Sequence, residues 1–462
     1  MRFLSFLLLL TLVVCLNADH KEDVDHKNHE RYMHHRHRTH RRAKSKSDHH
    51  NHEHNSWITV CKRNISYYEK RCECSSYTGI VDCTFNTQKA GSLKSVNIRL
   101  DNSFGFPKKV ILSKNSIDVF EQDKLFSGKE DRIEVLELKD TRLSLFEPGA
   151  LNSFRSLKTL VLTKNFIKLD SEHTEWITEQ LGDSLENLYL DNNRLEHLPN
   201  EVFDKLIRLE TLNLNDNPKL KLSPTTFGRG LSNLKELSLA NCNLNSLPNN
   251  VFKNLRNLES LSLANNPLNA IPSQLKATYN LQILNLEQTH VGGTLQKDAF
   301  INIVKLTHLK LNSLPRLKQI DSCAFCGLSQ LRSVDVSESE ELTQIDENAF
   351  GLAQQFANAT HNLKVFHADN CKIFSFSPLL LNWESMELVT IAENPLDCNE
   401  MEWLVNDTAI SLSNRRYRPP KCHSPVERRG EFVRHYDNSS LNKFQTSASI
   451  ISLIALVLLA FE

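Results

Sequence analysis

Between residues 185 and 268 the apolar positions recur on a long period. The segments LENLYLDNNRL, LETLNLNDNPKL, LKELSLANCNL and LESLSLANNPL begin at Leu185, Leu209, Leu234 and Leu258, 24 or 25 residues apart. Within each, leucines at the fourth and sixth places alternate with polar residues, the pattern of a short strand with one buried face. The 3.6-residue period of a leucine-rich helix is absent. The ninth place holds Asn193, Asn217 and Asn266. A buried amide there can bond backbone groups of its own and adjoining coils, a ladder that leaves no polar group unpaired. The looser stretch after each strand repeats an aromatic at one place, Phe203, Phe227 and Phe252, which predicts an apolar spine on the far side. No unit of this length can bury its apolar face alone, so the pattern predicts stacked coils.

The same unit, read in both directions, begins at 107, 133, 157, 185, 209, 234, 258, 281, 306, 331, 363 and 386, twelve times in all. A period in the twenties with this consensus is the signature of a leucine-rich repeat solenoid. The expected fold is an α/β repeat with a curved parallel β-sheet on the concave side, a convex side of irregular, 3-10 or short helical segments, and disulfide caps. The ladder place holds Asn in six units, Thr in two, Ser339 in one, Leu314 in one, and Cys242 and Cys371 in two, so these cysteines read as buried ladder residues. The unit from Leu157, with Trp176 and Ile177, and the unit from Leu331, with Asn358, are long and are expected to bulge on the convex or lateral side. Cys323 and Cys326 stand as C-x-x-C without a second cysteine pair or a histidine at ligand spacing, which reads as a local bridge or a buried pair.

The two ends change the picture. Arg2, the apolar run Phe3–Leu16 and then Ala18 read as a secretory leader, residues 1–18. Its removal takes away Cys15 and leaves ten cysteines in a chain bound for an oxidising compartment. Sequons at Asn64, Asn358, Asn406 and Asn438 agree with secretion. Residues 19–56 lack apolar periodicity and carry eleven of the 19 histidines, among them His34, His35, His37, His49 and His50. This arm is expected to be disordered, and is either a weak metal-binding or polyanion-binding segment or a solvated spacer. At the far end the apolar run Ile450–Phe461 has twelve residues, against roughly 20 for a spanning helix. With small residues at Asn438, Ser439 and Ser440 and a polar spacer before the run, it matches a glycolipid-attachment signal with attachment at Asn438. A short single span beginning near Ser447 is the alternative.

Cys61, Cys72, Cys74 and Cys83 precede the first unit as C-x10-C-x-C-x8-C. This segment resembles the amino-terminal cysteine cap of extracellular leucine-rich repeat proteins, the family of toll-type receptors, connectin and the Nogo receptor. The resemblance implies bridges Cys61–Cys74 and Cys72–Cys83. The stretch NPLDCNEMEWLVND followed by RPPKCHSPVERRGE is similar to the same family's carboxy-terminal cap. Glu400 stands where that cap has its second cysteine and Cys422 is the only late one, which leaves the single bridge Cys398–Cys422. The boundaries that follow are an N-terminal cap over 57–106, repeats over 107–393, a C-terminal cap over 394–430, a stalk over 431–438 and a removed anchor signal over 439–462.

The chain holds 55 basic and 55 acidic residues and only 13 glycines. It shows no phosphate-cradling loop, HExxH or GxSxG, so no enzyme, cofactor or nucleic-acid partner is expected. Twelve strands at about 4.8 Å make a sheet roughly 55 Å along, the scale for grasping a protein. The expected function is recognition or adhesion at the cell surface, by contact with an extracellular or cell-surface protein, a homophilic partner included. An innate-immune receptor or co-receptor and a secreted matrix protein are the alternatives. In the units from 185 to 281 the outward strand places carry Glu186, Asp191, Glu210, Asp216, Glu236, Glu259 and Glu287 against Lys235 alone. These acids, with Tyr189, form the candidate ligand-binding face, for a basic partner or the protein's own arm.

Overall fold

The computed structural model describes residues 57–62, 70–86, 91–351, 362–406 and 420–433. The chain divides into two units, 1–56 and 57–462, of which only the second contains described residues. The leader, the arm with His34, His35, His37, His49 and His50, the sequon residues Asn64 and Asn358, and Asn438 with the tail therefore lie outside the described residues. Of Asn406 only the backbone is described, at the end of the helix Glu402–Asn406.

The described residues form a leucine-rich repeat solenoid built on one fourteen-stranded sheet. Its first strand, Glu73–Ser75, pairs antiparallel with Ile80–Asp82, and every later pairing is parallel. Each repeat strand is three residues long and starts two residues after the first leucine place of its unit, as Thr211–Asn213 and Glu236–Ser238 do. All twelve units found by period contribute one strand, and the disulfide-bonded segment ahead of them adds the two others. Their central residues stack in register, Leu188 on Leu212, Leu212 on Leu237 and Leu237 on Leu261. Every one of these is buried. Smaller parallel sheets lie beyond the main one, one of them made by Gly292–Leu295, Arg316–Ile320 and Gln344–Ile345.

The ladder is continuous. The Asn217 side-chain amide donates to the carbonyls of Leu190, Leu214 and Asn215 at 3.1, 2.9 and 3.0 Å, and its oxygen accepts from the backbone N–H groups of Asn193 and Leu195 at 3.2 Å. Asn165, Asn193 and Asn266 repeat this, each reaching one coil back. Cys242 keeps part of the function, its thiol donating to the Leu214 carbonyl at 3.2 Å. Burial pushes the thiols of Cys242 and Cys371 up to about 12, so neither ionises at neutral pH. Both are free, and the bridges are Cys61–Cys74, Cys72–Cys83, Cys323–Cys326 and Cys398–Cys422.

One recurring bend was not anticipated. In all twelve coils the residue immediately before the ladder place lies in the left-handed region, among them Asp216 at φ 55°, Asn265 at 54° and Gln288 at 52°. This turns the chain out of the strand at one fixed point per coil. For a residue with a Cβ that region costs roughly 1–2 kcal/mol, least for Asn and Asp.

Phe203, Phe227 and Phe252 are buried as the repeated aromatic requires. Farther along, Phe300, Phe325 and Phe350 stack with ring centroids 6.0 and 4.9 Å apart. In the long unit from Leu157 the residues 170–175 are half-buried or exposed. After them Trp176 and Ile177 are buried and Trp176 stacks on Phe146 at 4.7 Å, which ties the end of the stretch to the core. Thr178 caps the short helix Glu179–Gly182 through the Leu181 N–H. At Gly182 a Cβ would meet the Lys205 carbonyl at 1.7 Å, so glycine alone lets this helix end rest on the next coil.

Asn217→Ala leaves several buried backbone groups without partners at about 1–3 kcal/mol each, so a loss of roughly 3 kcal/mol or more is expected. Leu261→Ala is expected to cost about 2–5 kcal/mol. Cys242→Ser is expected to cost less than either. Urea midpoints measure all three, and equal midpoints for Asn217→Ala and Cys242→Ser would remove the ladder's assigned role. Gln288→Val, which sets a β-branched residue in the left-handed region, is expected to lower the midpoint, and Gln288→Asn to leave it level or raise it.

Candidate concave binding face

The sheet alternation sends every second side chain away from the core, so the same register that stacks the leucines also stacks the outward residues in rows. In one row Glu186, Glu210, Lys235 and Glu259 fall on four consecutive strand edges, with Glu236 one place on from Lys235. Lys235 forms an ion pair with Glu210 at 2.8 Å. That hydrogen bond, with the further charges of Glu259 and Glu186, holds the Lys235 ammonium above its ordinary range. Burial, and then the charges of Glu259 and Glu210, push the half-buried Glu236 carboxyl up. Burial and the charges of Glu236 and Asp191 do the same to the Tyr189 hydroxyl. Five carboxylates and one phenol therefore crowd neighbouring strands, with Lys235 among them and Lys139 acting on Asp191 at their margin.

The candidate acids divide by duty. Glu186, Glu210, Glu236 and Glu259 gather around Lys235, with Tyr189 near Glu236. Asp191 and Asp216 sit at the strand ends, where the coil turns. Asp191 accepts from the Thr163 hydroxyl at 2.9 Å and the Asn213 amide at 3.3 Å. Burial and the charge of Asp216 raise its carboxyl despite the Thr163 bond. Asp216, at a left-handed bend, accepts from the Asn241 amide at 2.6 Å. Glu287 is half-buried at the far margin, its N–H donating to the Asn285 side chain at 2.9 Å. The strand-end acids thus have structural partners, and the sharper candidate site is the Glu186, Glu210, Glu236 and Glu259 group with Tyr189.

Sequence reasoning missed the neutral polar residues beneath this group. Asn215 accepts from the Ser238 hydroxyl at 2.6 Å and the Ala240 N–H at 2.7 Å, and its own N–H donates to the Asn213 side chain at 3.0 Å. A second asparagine row also escaped notice. The side chains of Asn233, Asn257 and Asn280 donate to the carbonyls of Ile207, Ser232 and Arg256 at 2.8, 2.9 and 2.7 Å. Its signal, an asparagine one place before the first leucine, stood in the repeat alignment. Near the end of the sheet the Thr390 hydroxyl donates to Asp369 and meets the His367 ring Nδ1 at 2.8 Å. Among the described residues no group of three or more His, Cys, Asp or Glu could hold a metal ion, and no helix is long and apolar enough to cross a membrane.

The fold defines the class as leucine-rich repeat. A family model described as leucine rich repeat matches residues 183–229, 208–268 and 232–291, and one described as a BspA type leucine rich repeat region matches residues 293–380. Among solved structures, the leucine-rich repeat domain of APL1B is 18% identical with a TM-score of 0.51, over 74% of this chain and 90% of that one. An internalin from Listeria monocytogenes is 20% identical with a TM-score of 0.48, over 66% of this chain and 79% of that one. The Toll–Spatzle complex of Drosophila matches at 19% identity and a TM-score of 0.49, over 76% of this chain and 55% of that chain. These likenesses concern the fold. No curated protein matches the sequence.

Because the Glu236 carboxyl is raised in the folded chain, its ionisation opposes folding above its ordinary range, and that opposition fades as pH falls through its folded value. Glu236→Gln is therefore expected to raise the urea midpoint at neutral pH and to have no effect in acid, where Glu236 is itself protonated. Glu259→Gln is expected to bring the Glu236 titration down, read by side-chain carbon NMR. A Glu236 titration unmoved by that change would show that the two carboxylates do not interact.

Proposed function

We propose that this is an extracellular recognition protein that holds a basic protein ligand on the acidic middle of its concave sheet. The observation that carries the reading is the carboxylate group of Glu186, Glu210, Glu236 and Glu259. Like charges on adjacent strands oppose one another, and burial adds to the cost at Glu236. At Glu236, where burial and like charge act together, the fold would be better served by a neutral residue. A basic partner removes the opposition on binding. Electrostatics of this kind set encounter rate and salt sensitivity more than affinity.

An extracellular setting is supported by the four bridges, Cys323–Cys326 included, since disulfides persist in oxidising compartments. The leader supports it as well. Tethering by a glycolipid at Asn438 rests on the tail pattern alone. Recognition or adhesion is the form of activity that a long concave sheet serves best.

The test is capture of a fluorescent lysine-rich peptide by the full chain at low and physiological salt. Glu210→Gln, Glu236→Gln and Glu259→Gln in one variant are expected to weaken capture by about tenfold or more at low salt and to flatten its salt dependence. A control variant carrying Glu172→Gln, Glu175→Gln and Glu179→Gln, in the long unit, is expected to bind as wild type. Equal losses in both variants would make the effect one of net charge and end the reading.

A further inference from the structure

The concave sheet carries a second charged field of opposite sign. On the three strands that precede the acidic ones, Lys109–Ile111, Val135–Glu137 and Thr159–Val161, and at their edges, the outward places hold Lys108, Lys109, Lys114, Lys139, Lys158 and Lys164. Three acids share those places. Glu134 pairs with Lys108 at 3.9 Å, Asp140 pairs with Lys164 at 3.1 Å, and Glu137 accepts from the Ser113 hydroxyl at 3.0 Å. Lys109, Lys114, Lys139 and Lys158 face outward beside these acids, Lys109 half-buried and the others exposed, and Lys139 also acts on Asp191 across the boundary between the two fields. On the acidic strands the one base, Lys235, is already taken by Glu210. The sign reverses between neighbouring strands, Thr159–Val161 and Asn187–Tyr189, which pair directly.

We propose that the concave face reads its protein partner by two charges at once: a basic cluster over the Glu186, Glu210, Glu236 and Glu259 group and an acidic cluster over Lys109, Lys139 and Lys158, so that the partner docks in one orientation. This rests on the acidic-face reading above and extends it. From the middle lysine-bearing strand, Val135–Glu137, to the middle acidic strand, Glu236–Ser238, is four strand steps, or roughly 19 Å at about 4.8 Å each. A partner segment lying across the strands spans that distance with about six residues if extended, at roughly 3.3 Å each. It needs about 13 if helical, at about 1.5 Å each. A wholly basic segment would meet the lysines with like charge, which costs affinity and rejects such partners.

Three fluorescent peptides test this on the full chain at low salt: a block peptide with a glutamate cluster and a lysine cluster centred about 19 Å apart in extended form, an alternating peptide of identical composition, and a plain lysine-rich peptide. The block peptide is expected to bind about tenfold or more tighter than the alternating one. Lys109→Gln, Lys139→Gln and Lys158→Gln together are expected to abolish that advantage while leaving the plain basic peptide bound as tightly or more so. A thermal melt superimposable on wild type confirms that the variant is folded. Equal binding of block and alternating peptides, or a lysine variant indistinguishable from wild type, overturns the two-charge reading while leaving the acidic face intact. Failure of the plain basic peptide to bind wild type overturns the acidic-face reading and this one with it.

Discussion

Everything on the concave face depends on the bond between a ladder side chain and the coil before it. A three-residue strand makes too few hydrogen bonds to hold its own direction. The Asn217 amide adds contacts to three carbonyls and two N–H groups across two coils, and does so at the point where the chain leaves the strand. The left-handed residue just before it turns the chain there, and the amide satisfies the backbone groups that the turn exposes to the core. The two features together repeat the same exit from every strand. Because the exit is repeated, the register is repeated, and because the register is repeated, outward residues from different coils fall into rows.

The ladder also explains which substitutions the repeat tolerates. Cysteine at 242 and 371 is small, donates one weak bond, and sits among neighbours that retain Asn266 and Asn394. Threonine at 141 and 289 donates to the carbonyl three residues before it, at 3.1 and 2.8 Å. Leucine at 314 gives up the bond altogether, and there the Ser339 hydroxyl of the next coil accepts from the Leu314 N–H at 3.2 Å. One coil can lack its amide because the next coil supplies the acceptor. Two adjacent coils without any polar group at this place would leave buried N–H groups unpaired, and the chain contains no such pair.

Most of this architecture was legible in the sequence because it rests on periods. The strand starts, the ladder occupants and the buried Phe203, Phe227 and Phe252 all repeat every two dozen residues, and repetition separates signal from composition. The left-handed row was not legible, since its occupants range from Lys114 through Gln288 to Glu393 and only the backbone unites them. The burial of Trp176 was not legible either. An insertion breaks the period, and a length of extra chain does not say whether its aromatic residue turns outward or down onto Phe146. At the candidate site the charge skew could be read off the sequence, but not its partition. Asp191 and Glu236 are both acids at outward places of their units, yet one accepts bonds from Thr163 and Asn213 and the other lies among Glu210 and Glu259.

That partition bears on how such a surface is to be understood. A solenoid's core is specified by the places that point inward, and the ladder by one further place, so the outward strand places are the least constrained part of each unit. Charges there would be expected to alternate in sign along a row, since opposite neighbours on adjacent strands are favourable and like neighbours are not. The chain does this where Lys108 meets Glu134 and Lys164 meets Asp140. It departs from it at Glu186 and Glu210, which share a row on adjoining coils, and again at Glu236, which feels the like charges of Glu259 and Glu210. The folded chain bears that repulsion, together with the raised Glu236 carboxyl and Tyr189 hydroxyl, in the region where the register is regular and the core fully packed. The regular coils have the stability to carry such a surface, and the same regularity holds the carboxylates at a fixed spacing that a partner can match.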